Sequence, residues 1–77
     1  MKTRREILID DHDSALQQRI ENEINIISLT RRIEKLDPGS KDAEPLQAQL
    51  EVKKTNLETV QGVIDIIEEL IKKEEEN

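Results

Sequence analysis

Leu46, Leu50, Leu57, Val60, Ile64, Ile67 and Ile71 recur along the second half of the chain on alternating four- and three-residue steps, with one gap at Lys53. This is the spacing of an a/d helical seam, in which Leu50, Leu57, Ile64 and Ile71 share one heptad position. At the gap, the aliphatic stem of Lys53 can cover the seam while its ammonium stays in water. The pattern predicts a helix over about 43–73, with Pro45 in the first turn, where a missing N–H costs least, and Asp42 or Glu44 near the positive end of the dipole. Gly62 falls inside this helix but off the seam, and should weaken it by up to about 1 kcal/mol relative to alanine.

The first half repeats less regularly. Ile26, Leu29, Ile33 and Leu36 form one seam, Leu16, Ile20 and Ile27 an adjacent one, and Ile24 lies further round. Ser14 followed by Gln17 has the form of a capping box, so a helix is expected over about 14–36. Residues 1–13 read as an N-terminal arm or a short helix. Thr3 and Glu6 form a second candidate capping box, whereas the run Ile7, Leu8, Ile9 would also suit a brief strand, and Asp10, Asp11, His12 and Asp13 have poor helix propensity and should break the chain before Ser14.

Between the two periodic stretches stands DPGSKDAEP, residues 37–45, which holds both prolines and one of the two glycines. A connection this short, over 37–43, leaves two long amphipathic helices little choice but to pack side by side. The expected fold is therefore all-α: an antiparallel, coiled-coil-like two-helix hairpin. Alignment through the turn pairs Leu36 with Leu46, Ile33 with Leu50, Ile26 with Leu57, Ile20 with Ile64 and Leu16 with Ile67.

Several aliphatics are left over. Ile24, Ile27, Val63, Ile66 and Leu70 lie off the main seam, and a lone hairpin would leave them in water, which usually marks an interface. The expectation is self-association into a homodimer or higher oligomer, most simply a four-helix bundle of two hairpins, with these five residues at or near the contact.

Composition narrows the function classes. Aromatic residues are absent, so a core must be built from thin Leu/Ile/Val layers. There is no cysteine, which excludes disulfides, thiolate metal sites and thiol nucleophiles and fits a reducing compartment. No apolar run is long enough for a membrane span or a signal-peptide core, and a cytoplasmic location is expected. Charged residues make up 39% of the chain and the net charge is -6, which argues against direct nucleic-acid or anionic-membrane binding.

The chemistry-bearing candidates are thin. Asp10 to Asp13 match no metal-loop template, His12 has no histidine or cysteine partner, and neither a phosphate loop nor a nucleophile elbow is present, so neither catalysis nor a cofactor is expected. Arg31, Arg32 and Lys53 could converge on an anionic ligand such as a nucleotide in an oligomer, though salt-bridging with Glu34 and Glu51 explains them as well. Charge is unevenly spread. Residues 30–55 carry six basic and five acidic groups, whereas residues 10–29 and 56–77 together carry three basic and twelve acidic groups, so the open end is acidic and aliphatic-rich.

These features point to a non-enzymatic interaction module, an adaptor or inhibitor that self-associates and offers an acidic, aliphatic face to another protein. Size and composition, without any motif, also suit the small accessory proteins of phages and mobile elements. The alternatives are an oligomeric binder of an anionic small ligand and an acidic mimic of nucleic acid.

Overall fold

The structure is a computed structural model that describes residues 1–76. It consists of two helices, α1 (Arg4–Glu34) and α2 (Ala43–Glu76), joined by a short connection and packed side by side as an antiparallel hairpin. Cross-helix polar pairs step in opposite directions along the two elements, Arg5 with Glu75 at 3.1 Å, His12 with Glu68 at 3.3 Å and Arg19 with Gln61 at 2.9 Å. Neither helix is long and apolar enough to cross a membrane.

In α2 the seam follows its sequence pattern without interruption. Ala43, Leu46, Leu50, Lys53, Leu57, Val60, Ile64, Ile67, Ile71 and Glu74 are all at least half-buried, with Ile64 fully enclosed. Lys53 occupies the gap in the aliphatic run, half-buried as its long stem allows.

α1 departs from expectation at its start. The chain does not break at Asp10 to Asp13, and no helix begins at Ser14; one continuous helix starts at Arg4, behind the capping box of Thr3 and Glu6. The Glu6 N–H donates to Thr3 Oγ1 at 3.2 Å and the Thr3 N–H donates to Glu6 Oε1 at 3.4 Å. Three aspartates cost a helix about 0.5 kcal/mol each, which is less than the tertiary contacts of the same segment return. Leu8 packs against the cluster of Ala15, Ile64 and Ile67, and Arg4 pairs with Glu74 at 2.7 Å. Lys2 reaches back to Asp10, and the hydrogen bond to that carboxylate, with its charge, raises the lysine pKa above its ordinary value.

The seam of α1 also differs from the one its aliphatics suggest. Leu8, His12, Ala15, Arg19, Asn22, Ile26, Leu29, Ile33 and Leu36 alternate strictly in four- and three-residue steps, and all are half-buried or buried. Helix one therefore keeps a single face to its partner. The expected pairing of Ile20 with Ile64 does not occur: Ile20 remains 53% exposed, while Arg19 enters the seam and donates to Gln61. Leu16, beside the seam, packs on the edge of the Ile64 cluster.

The last turn of α1 tightens, the Lys35 and Leu36 N–H groups donating to the Arg32 and Ile33 carbonyls at 3.3 and 3.1 Å. Gly39 then takes φ +81, a left-handed conformation that glycine adopts without strain. The Ser40 N–H closes the turn on the Asp37 carbonyl at 3.1 Å, and Ser40 Oγ accepts the Asp42 N–H at 3.2 Å just before α2 begins.

The resulting rod measures 58 × 18 × 14 Å, with a radius of gyration of 17.4 Å against about 11.5 Å for a compact domain of this length. Its accessible surface is 6053 Å², whereas a compact monomer of 8.9 kDa exposes about 4,800 Å². Among the described residues only Ala15, Leu29, Ile64 and Ile67 are fully within the core.

Candidate interaction surface

Two parallel rods leave two broad faces, one on each side of their seam. On the first, an open depression is lined by Arg19, Glu23, Leu57, Glu58, Gln61, Gly62 and Asp65. On the second, a depression lined by Gln18, Glu21, Asn22, Asn25, Lys53, Asn56, Thr59 and Val60 continues into one bordered by Asp11, Ser14, Ala15 and Val63. The two are called here the Gln61 face and the Asn56 face.

Helical spacing distributes the leftover aliphatics between them, because residues three, four or seven apart share a side. Ile20 and Ile27 stand three before and four after Glu23, hence on the Gln61 face, with Ile24 further round toward the back of α1. All three are more than half exposed, at 53%, 53% and 59%. On α2, Val52, Asn56, Thr59, Val63, Ile66 and Leu70 fall on four- and three-residue steps of their own, a second seam along the outer edge of the Asn56 face. Val52, Val63 and Ile66 are exposed and Leu70 is half-buried.

The five residues expected at one contact therefore belong to two surfaces. Ile24 and Ile27 follow one flank of α1, while Val63, Ile66 and Leu70 follow the opposite flank of α2. In an antiparallel pair each flank meets the like flank of its partner across the seam, so stripes on unlike flanks look away from each other. A two-fold contact between two hairpins can therefore cover one of these stripes but not both.

The stripes also differ in charge. Between Pro45 and Ile66 the charged residues of α2 are Glu51, Lys53, Lys54, Glu58 and Asp65. Lys53 lies in the seam, Glu58 and Asp65 line the Gln61-face depression, and Glu51 and Lys54 stand seven residues before Glu58 and Gln61 on that same side. The outward side of α2 is thus uncharged for about 30 Å at 1.5 Å per residue. On α1, in contrast, Asp13 and Glu23 interrupt the stripe, Glu23 lying 4.0 Å from Arg19.

The hydroxyls on α2 are spent within the helix. Thr55 and Thr59 donate to the carbonyls of Glu51 and Thr55, each at 3.1 Å, so neither hydroxyl needs a partner outside the helix.

The candidate anion ligands are not brought together. Arg32 borders a depression at the turn with Lys35, Leu36, Asp42, Pro45, Leu46 and Gln49, Lys53 lies in the mid-helix depression beside Glu21 and the asparagines, and Arg31 lines neither. Asp10, Asp11 and Asp13 point to different sides of a continuous helix, while His12 turns to Glu68; among the described residues no group of three potential metal ligands forms.

Ile20 and Val52 belong to the exposed stripes, although the sequence pattern alone assigns Ile20 to the core and leaves Val52 unmarked. The second alternating series on α2 was the signal that identifies Val52. Comparison of the chain with protein-family models, with curated proteins and with solved structures finds no match.

Proposed function

We propose that this protein is a non-enzymatic interaction module, an adaptor or inhibitor in kind, that self-associates and presents an acidic, aliphatic surface to another protein. The observation behind this reading is the pair of aliphatic stripes on opposed sides of a hairpin whose own seam is already occupied. Exposed aliphatic stripes of this kind are what interfaces use: Ile20, Ile24 and Ile27 on one side and Val52, Val63 and Ile66 on the other are all exposed. Two opposed stripes allow two neighbours to be held at once, which suits an adaptor. Asp13, Glu23, Glu58 and Asp65 rim the Gln61 face, so the foreign partner of that face should be basic, with charge setting the encounter rate and the isoleucines the lifetime.

The test combines association with capture. Sedimentation equilibrium at micromolar concentration should give a mass above 8.9 kDa. Affinity capture with the native chain and with an Ile20→Asp/Ile24→Asp variant should retain a basic protein on the first and lose it on the second. A monomer that retains nothing dependent on the stripe would defeat the proposal. A rise in melting temperature with a nucleotide panel would favour the small-ligand alternative instead.

A further inference from the structure

We infer that the uncharged side of α2 is a homodimer contact in which two copies pack α2 against α2, antiparallel, about a two-fold axis near residue 61. This deepens the self-association in the proposed function and rests on that reading. Its basis is the second seam, Val52, Asn56, Thr59, Val63, Ile66 and Leu70, which lies outside the hairpin and carries no charge in a chain that is 39% charged.

The steps, four, three, four, three, four, read the same from either end, as those of any heptad seam with an even number of positions do. An antiparallel two-fold therefore opposes Val52 to the partner's Leu70, Asn56 to the partner's Ile66 and Thr59 to the partner's Val63, each seam position meeting another with none left over. This register permits an isologous contact, and the choice of a second copy rests on the uncharged strip itself and on the charge complementarity of the two halves of the chain. Thr59 suits a dry contact because its hydroxyl is already bonded to the Thr55 carbonyl.

A head-to-tail alternative, with the α1 stripe of one copy on the α2 stripe of the next, would bury Asp13 against an uncharged surface, and Glu23 with only Arg19, at 4.0 Å, to offset its charge. An unpaired carboxylate such as Asp13 does not enter such a contact without large cost. Charge also selects the orientation. Residues 30–55 carry a net +1, from six basic and five acidic groups, and the remaining residues a net -7, from six basic and thirteen. A parallel pair would set the two acidic halves side by side, whereas the antiparallel pair sets each against the mildly basic half of its neighbour. The α1 stripe stays free for the foreign partner.

Sedimentation equilibrium and cysteine cross-linking of the full chain test this. The native protein should sediment at twice 8.9 kDa. Val63→Asp with Ile66→Asp should raise the dimer Kd on the order of 100-fold or more with helical circular dichroism retained, whereas Ile20→Asp with Ile24→Asp should leave it unchanged. An equimolar mixture of Val52→Cys and Leu70→Cys chains, which have no other cysteine, should oxidise to the mixed disulfide; because these chains keep both Val63 and Ile66, this measurement holds even where the aspartate variant unfolds. Like-with-like disulfides would overturn the antiparallel arrangement. A dimer indifferent to Val63→Asp and Ile66→Asp but split by the α1 variants would overturn the contact and leave self-association standing, while a native monomer would overturn both.

Discussion

Ile64 and Ile20 are the same residue type in very different circumstances. Ile64 is wholly enclosed, packed with Ala15 and Ile67, and its truncation to alanine removes buried contacts and leaves a void, at a cost of about 3 kcal/mol. Ile20→Ala removes a side chain that is 53% exposed and improves helix propensity, so urea unfolding at one fixed protein concentration should shift little. Equal losses at the two sites would mean that the seam has been placed on the wrong face of α1. Gly62 offers the opposite experiment. A Cβ built there meets nothing within 4 Å and the backbone is helical, so Gly62→Ala should stabilise the protein by up to about 1 kcal/mol, seen as a higher urea midpoint at unchanged slope.

At the level of the elements, the two helices differ in how far their own residues announce them. α2 was legible almost completely, because its seam is aliphatic from Ala43 to Ile71 at every position except Lys53 and its start is marked by the turn. The seam of α1 is not, because His12, Arg19 and Asn22 occupy positions that a hydrophobic pattern assigns to leucine. His12 and Arg19 find their partners in Glu68 and Gln61, which lie 56 and 42 residues away, and no local pattern carries that information. The same distance hides the continuity of α1 through Asp10 to Asp13, since the contacts that hold the segment helical come from α2. The outer stripe of α2 was open to a sequence reading, but the opposition of the two stripes required the handedness of the pair. Hydrogen exchange checks the continuity directly: the amides of Asp10 to Asp13 should be protected to the same degree as those of Gln17 to Arg19. Rapid exchange confined to the aspartates would restore the break.

For the whole molecule, the decisive quantity is the distance between positions far apart in sequence. Glu23 and Asp65 border one depression, so spin labels placed there should lie within about 20 Å, two helix diameters. A single unbroken helix would hold them about 63 Å apart at 1.5 Å per residue. With so few residues fully enclosed, the hairpin has little reserve of its own, and its melting temperature should rise with protein concentration as the second copy covers α2. A melting temperature independent of concentration from nanomolar to micromolar would count against any stabilising self-contact.

Arg4 and Arg5 hold Glu74 and Glu75 at the end of the rod opposite Gly39, which puts the start of α1 beside the end of α2. Force applied to these ends acts across the seam and not along it, so it peels the layers singly and never opposes them together. In a single-molecule pulling experiment the packed group of Ala15, Ile64 and Ile67 should give way first and at the highest force. Beyond it, the polar waist of Arg19, Asn22 and Lys53 should part with little resistance before Leu29 is reached. Held instead by one chain end and the turn, the same molecule would be loaded in shear and should withstand a greater force.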